Sequence, residues 1–221
     1  MNAPASPDRA ALARVGAAVR ARLQADPGVY QVPAEEAEIY ALGEFLDAAE
    51  CERIIALIDA VARPSPLFDP DNPLKYRTSY SGDFDRNDSF VRMIERRLCD
   101  LVGLHESWAE TFQGQRYDVG QEFQAHFDWF DPASPWWPGE AVRGGQRSWT
   151  AMAYLNAVEE GGETEFTELG FAIPPQPGAL LLWNNATPDG LPNPLVRHAG
   201  KPVLRGRKYI ITKWFRTRRW G

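Results

Sequence analysis

The chain has 221 residues, 44% of them hydrophobic and 24% charged, the balance of a globular protein long enough to bury one sizeable core. Its net charge of −6 argues against nucleic-acid binding driven by charge, because phosphate recognition needs a concentrated basic face. The strongest apolar run, residues 179–183, is far too short to span a bilayer. Arg9, Arg14, Arg20 and Arg22 interrupt any apolar leader. The expectation is a cytoplasmic protein with neither membrane nor nucleic acid as partner.

In chain order, Asp8 can cap a helix running to about residue 25, with Leu12, Val15, Val19 and Leu23 on one face. Asp47 and Glu50 have capping-box spacing ahead of a second helix, where Cys51, Ile54, Ile55, Ile58 and Val61 recur at helical intervals. Residues 63–73 hold four prolines, Pro64, Pro66, Pro70 and Pro73, and read as loop. A third helix begins at Asp88, buries Val91, Ile94, Leu98 and Leu101, and stops at Gly103. Cys51 and Cys99 lack metal-site or disulfide spacing, and Cys51 reads as a small buried thiol.

After Trp108 the texture changes. Residues 110–117, 123–130, 149–156, 163–167, 179–183 and 208–216 are short runs rich in aromatic and β-branched residues, separated by Gly, Pro and Asn. Helices followed by strands predict an α+β fold whose strands close into a sandwich or barrel. No repeat or linker marks a second unit, so the reading is a single domain over 1–221. It comprises an N-terminal helical extension (1–42), supporting helices and loop (43–107) and a strand core (108–216). The basic residues Arg216 to Arg219 read as a solvated tail.

Within the second strand run, alternation places His126 and Asp128 on one face and Phe123, Ala125, Phe127 and Trp129 on the other, core-facing one. With His198 the pair makes two imidazoles and a carboxylate, the donor set of a facial triad on ferrous iron, although zinc sites use the same types. The pair alone is weak evidence. Three His and 30 acidic residues in 221 give about 0.4 His-x-acid pairs by chance. Its company is more informative. Lys208 opens the last strand and can pair with a carboxylate co-substrate. Tyr117 could add a phenol and Thr164, after Gly161-Gly162, a hydroxyl.

The longer text resembles the prolyl 4-hydroxylase branch of the Fe(II)/2-oxoglutarate-dependent dioxygenases, especially its short bacterial and algal members. The resemblance runs from about Gly43 to Trp214. It rests on Arg77-Thr78-Ser79, Arg116-Tyr117-x-x-Gly120-Gln121-x-Phe123-x-x-His126-x-Asp128, Gly144-Gly145-Gln146-Arg147, Glu159-Glu160-Gly161-Gly162-Glu163-Thr164, Trp183-Asn184, and His198-Ala199-Gly200 through Lys208 to Thr212-Lys213-Trp214. It implies a double-stranded β-helix (jelly-roll) core with supporting helices. Iron would be held by His126, Asp128 and His198, and 2-oxoglutarate by Lys208, Tyr117 and Thr164. Molecular oxygen would be the second substrate and ascorbate the reductant.

The implied reaction is hydroxylation of a proline in a protein or peptide, with release of succinate and CO2. Arg147 is expected at the substrate, a structural ion pair being its alternative. Trp136 and Trp137, in the Pro/Gly-rich connection 131–145, are expected as a mobile wall over a peptide groove, or else as packing against the barrel. Only about forty residues precede the second helix, so collagen is not the expected substrate. A hydroxylase of a free amino acid or other small molecule with the same iron centre is the alternative activity.

Overall fold

Three segments with helical spacing and strong caps become three helices. A computed structural model describes residues 7–34, 36–65 and 77–221. Helix α1 (Arg9–Ala25) starts where the Asp8 carboxylate accepts from the Ala11 amide, and it buries Leu12, Val15, Val19 and Leu23. Helix α2 (Ala48–Val61) opens with the reciprocal capping box of Asp47 and Glu50. Helix α3 (Ser89–Val102) is capped by Asp88 and ends at Gly103, whose φ of 69° is the left-handed cap that glycine adopts most easily. A fourth helix, α4 (Trp137–Arg143), lies inside the segment expected to be plain connection; Pro138 at its start presets a helical φ.

The strands are β1 (Val29–Gln31), β2 (Ile39–Leu42), β3 (Arg63–Pro64), β4 (Tyr80–Asp83), β5 (Gln113–Tyr117), β6 (Phe123–His126), β7 (Arg147–Tyr154), β8 (Glu160–Gly161), β9 (Thr164–Phe166), β10 (Phe171–Ile173), β11 (Leu180–Asn184), β12 (His198–Gly200), β13 (Val203–Arg205) and β14 (Lys208–Arg216). They form an eight-stranded sheet in the order β1-β2-β11-β7-β14-β5-β4-β3, a four-stranded sheet β10-β9-β12-β6, and the pair β13-β8. The pairings are antiparallel. This is the jelly roll expected, with helices supporting it.

The larger sheet has two unlike faces. Trp149, Ala151 and Ala153 of β7, Leu180 and Leu182 of β11, and Ile211 and Phe215 of β14 pack against α1, α2 and α3 in one core. The alternate residues Met152, Tyr154, Leu181, Trp183 and Ile210 turn to the other side and join Phe166 and Val203. Helix α2 crosses β5 so closely that a Cβ on Gly114 would sit 2.4 Å from Ile58 Cγ1.

Three expectations change. Strands β1 to β4 and β8, β10, β12 and β13 have two to four residues each, too few to show an alternation, and pairing with their neighbours makes them strands. Arg63 and Pro64, expected in a loop, pair with Ser81 and Tyr80; Pro66, Pro70 and Pro73 lie outside the described residues. Arg216 is not part of a solvated tail. It is 0% exposed, with Nη1 donating to Glu110 Oε1 and Nη2 to Glu140 Oε2 at 2.7 and 2.6 Å.

The helical layer and the sheet also share a buried ion pair. Lys213 Nζ donates to Glu95 on α3, both side chains are buried, and the ammonium lies 4.5 Å from the Phe112 ring centroid. Burial pulls the Lys213 pKa down while Glu95 holds it up. Removing one partner strands a charge, whereas replacing both by apolar side chains does not. Glu95→Ala is therefore expected to cost about 3–5 kcal/mol in urea unfolding, and Glu95→Leu/Lys213→Met to recover most of it. A double variant as unstable as the single one would show that the pair itself is the source of stability.

Candidate metal centre and its two clefts

Strand β6 ends on His126 and β12 begins with His198. The register sets the two residues directly opposite each other, and their ring centroids are 4.4 Å apart. Asp128 comes two residues beyond the end of β6. The chain turns there because Gln146, itself buried, clamps Phe130 by both backbone groups. Its Nε2 donates to Phe130 O and its Oε1 accepts from Phe130 N, each at 2.8 Å. Strand alternation thus stops at His126, which corrects the reading of a continuous apolar face. Phe123 stacks on the His126 ring at 3.6 Å between centroids, and Phe127 is 45% exposed.

One ligand atom from each of His126, Asp128 and His198 falls within 4.8 Å of the others. His126 Nδ1 lies 2.8 Å from Gln124 O and His198 Nδ1 3.0 Å from Val196 O. A carbonyl can only accept, so each Nδ1 carries the proton and each Nε2 presents its lone pair. Burial, reinforced by His198, pushes the His126 pKa down to about 3, which keeps that ring neutral. Burial pushes the Asp128 carboxyl up, but His198, His126, Arg147 and a hydrogen bond from Thr150 together hold it below the usual carboxylate range. Two imidazoles with free Nε2 and an ionised carboxylate fit a divalent first-row ion such as Fe(II).

Behind the triad lies an inner pocket. Its lining includes Tyr117, Thr164 and Lys208, the three residues expected at a co-substrate. Lys208 and Tyr117 are register partners on β14 and β5, and Lys208 Nζ stands 5.3 and 5.6 Å from the ring centroids of Tyr117 and Tyr154. The lysine is 1% exposed, and it makes no ion pair among the described residues. Burial pulls its pKa down to about 7, against a weaker opposing pull from Glu163. The Tyr117 hydroxyl donates to Gln115 Oε1 at 2.7 Å, and Gln115 Nε2 donates to Thr212 Oγ1 at 3.1 Å. Tyr154 donates to Thr164 Oγ1 at 2.7 Å. Gln115, Thr212 and Tyr154 escaped the sequence reading. The first two lie at even spacing from Tyr117 and Lys208, and that periodicity could have found them.

In front of the triad an outer cleft of about 570 Å³ opens, lined by Phe127, Trp136, Arg147, Trp214 and Trp220 among others. Arg147 is held from below: its Nε and Nη2 donate to the two Glu110 oxygens, each at 2.7 Å, and its guanidinium lies 3.9 Å from the Trp214 ring centroid. It forms an ion pair and lines the cleft at once. The two neighbouring tryptophans separate. Trp136 is 40% exposed at the cleft, whereas Trp137 is 1% exposed and packs in a small core with Phe130 and Ala141.

The sequence model of the 2OG-Fe(II) oxygenase superfamily matches residues 112–216, the span that holds His126, Asp128, His198, Lys208 and Arg147. The chain is similar to Probable prolyl 4-hydroxylase 3 of Arabidopsis thaliana, 32% identical over 81% of this chain and 69% of that protein. It is also similar to Probable prolyl 4-hydroxylase 4 of the same plant, 34% identical over 77% of this chain; the chain spans 64% of that relative's length. Among solved structures it resembles the viral collagen prolyl hydroxylase of Paramecium Bursaria Chlorella virus-1 in its 2OG complex. That match has a TM-score of 0.63 and 26% identity, and it covers 80% of this chain and 94% of the viral one. The chain belongs to the 2OG-Fe(II) oxygenase superfamily, in its prolyl 4-hydroxylase branch.

Proposed function

We propose that the chain hydroxylates proline in a protein or peptide, consuming 2-oxoglutarate and molecular oxygen and releasing succinate and CO2. The observation that carries this reading is Lys208, a buried ammonium with no ion-pair partner among the described residues, placed in a pocket behind the three candidate metal donors. Burying a charge without a partner is costly, and a carboxylate entering beside Tyr117 and Thr164 would relieve that cost. Iron held by His126, Asp128 and His198 would supply the activation of oxygen that is coupled to co-substrate decarboxylation. The protein's own part is to fix the donors, to grip the far carboxylate with Lys208, and to keep the inner pocket dry.

The open outer cleft supports a peptide rather than a small molecule, since a free amino acid would need closure on more sides. In this reading Arg147 and Trp136 touch the substrate, and Trp137 braces the wall from behind. Family likeness supports ascorbate as the reductant that keeps the iron ferrous. The free, buried Cys51 and Cys99 support a reducing compartment, the cytoplasm. Helix α1 shares its core with α2, α3 and the sheet, which supports treating the chain as one catalytic domain. The direct test is incubation with proline-containing peptides and with free proline, reading succinate release and a one-oxygen mass gain on proline. Turnover of free proline alone would reject the peptide reading.

His126→Ala, Asp128→Ala and His198→Ala are each expected to abolish turnover, because two donors do not hold the ion in a facial arrangement. Near-normal succinate release from any of them would remove that residue from the triad.

Lys208 gives a pH signature. Without a bound carboxylate its folded pKa of about 7 is below the ordinary lysine value, so the ammonium is present below that pH and lost above it. A bound carboxylate favours the ammonium, so binding takes up a proton above about pH 7, and affinity for 2-oxoglutarate falls by up to about tenfold per pH unit there. Calorimetry in buffers of different ionisation heat measures the uptake; binding without proton uptake would show that Lys208 is already charged. Lys208→Ala is expected to weaken 2-oxoglutarate by roughly 30-fold or more, from a lost charge pair worth about 2–5 kcal/mol.

The two tryptophans should part company. Trp136→Ala is expected to raise the peptide KM about tenfold, one contact of roughly 1.4 kcal/mol. Trp137→Ala is expected to lower stability by about 3–5 kcal/mol in urea unfolding. The reverse pattern would exchange their roles.

A further inference from the structure

The Asp128 carboxylate does not stand alone. Thr150 Oγ1 donates to Asp128 Oδ2 at 2.7 Å, and Asn185 Nδ2 donates to Thr150 Oγ1 at 2.9 Å. All three side chains are buried. Thr150 sits in the middle of β7 between Trp183 of β11 and Trp214 of β14, on the face shared with Met152 and Tyr154. Asn185 follows β11, where its amide donates to Ser148 O at 2.8 Å and its carbonyl accepts from Asn193 N at 3.1 Å.

We propose that Thr150 and Asn185 are positioning residues that set the rotation of the metal-binding carboxylate. The inference rests on the metal-centre reading of His126, Asp128 and His198, and it assigns a role to two residues that touch neither the metal nor a substrate. Proton counting fixes the direction of the relay. An ionised carboxylate can only accept, and a hydroxyl has one proton, so Thr150 must donate to Asp128 and accept from its other neighbour. Only the amide nitrogen of Asn185 can supply that second bond. The relay therefore runs one way, from the Asn185 amide through the Thr150 hydroxyl to Asp128.

This matters because Asp128 lies beyond the end of β6, where no strand ladder holds it. His126 and His198 are fixed by their strands and their Nδ1–carbonyl bonds. For Asp128 the Gln146 clamp fixes the backbone two residues on, at Phe130, and Thr150 holds the side chain. A buried partner of this kind carries typically 10–100-fold in metal affinity.

The experiment measures Mn(II) binding to the metal-free protein by calorimetry, with urea unfolding of the same samples as the control for fold. Thr150→Val keeps the shape and deletes the hydroxyl; it is expected to weaken Mn(II) about 10- to 100-fold. Thr150→Ser restores the hydroxyl and is expected to bind within a few-fold of the parent. Asn185→Ala leaves the hydroxyl but frees its orientation, so its loss should fall between the two. Should Thr150→Val unfold, the comparison of Thr150→Ser with Asn185→Ala carries the test. Folded Thr150→Val or Asn185→Ala protein that binds Mn(II) as tightly as the parent overturns the positioning role. Failure of the parent protein itself to bind Mn(II) would overturn the metal-centre reading on which the inference rests.

Discussion

Because successive side chains on a strand point to opposite faces, β7 and β14 can be a wall of the hydrophobic core and a wall of the active site at once. Odd positions on β7, from Trp149 to Ala153, pack under the helices, and even positions turn the other way, where Met152 lines the pocket, Thr150 bonds to Asp128 and Tyr154 to Thr164. On β14 the order is the same: Tyr209, Ile211 and Phe215 in the core, Lys208, Ile210, Thr212 and Trp214 at the site. A one-residue slip between these strands would exchange the two sets completely. The helices α1 to α3 thus do more than cover the sheet. By burying one face they hold the register in which Lys208, Thr212 and Met152 line the same pocket.

The treatment of buried charge separates structure from function in this molecule. Lys213 is paired with Glu95, and Arg147 and Arg216 share Glu110 while Arg216 also reaches Glu140. These pairs join the sheet to α3 on one side and to α4 on the other, and each is internally compensated. Lys208, five residues before Lys213 on the same strand and on the opposite face, is equally buried and has no ion-pair partner among the described residues. Compensation is thus supplied at one lysine of β14 and withheld at its neighbour across the sheet.

The turn at Gly144-Gly145 connects these charges to the metal donors. Gly145 has a φ of 74°, and a Cβ there would meet Thr217 Oγ1 at 2.3 Å, so the turn can press against the end of β14. That contact seats Gln146, whose side chain grips Phe130 and sets where Asp128 falls. The Gly144-Gly145-Gln146-Arg147 text therefore serves the carboxylate through Gln146 and the outer cleft through Arg147.

The sequence by itself determined the three N-terminal helices, because capping residues and apolar spacing are local: Asp8, Asp47, Asp88 and Gly103 act within a few residues of themselves. It also singled out His126, Asp128, His198 and Lys208, which stand in a long motif text of specific order and spacing and which the structure brings to one pocket. Only the tertiary structure decided what depends on partners far away in the chain. Strands of two to four residues such as β1, β3 and β13 exist through pairing with neighbours distant in the chain or too short to be read alone. Arg216 is buried because Glu110 and Glu140 come to it from 106 and 76 residues away. Trp136 and Trp137, adjacent and alike in the sequence, face cleft and core because a helix begins between them. Thr150 and Asn185 reach Asp128 across separations of 22 and 35 residues along the relay; hydrogen bonds between residues so far apart leave no periodicity in a sequence to be read.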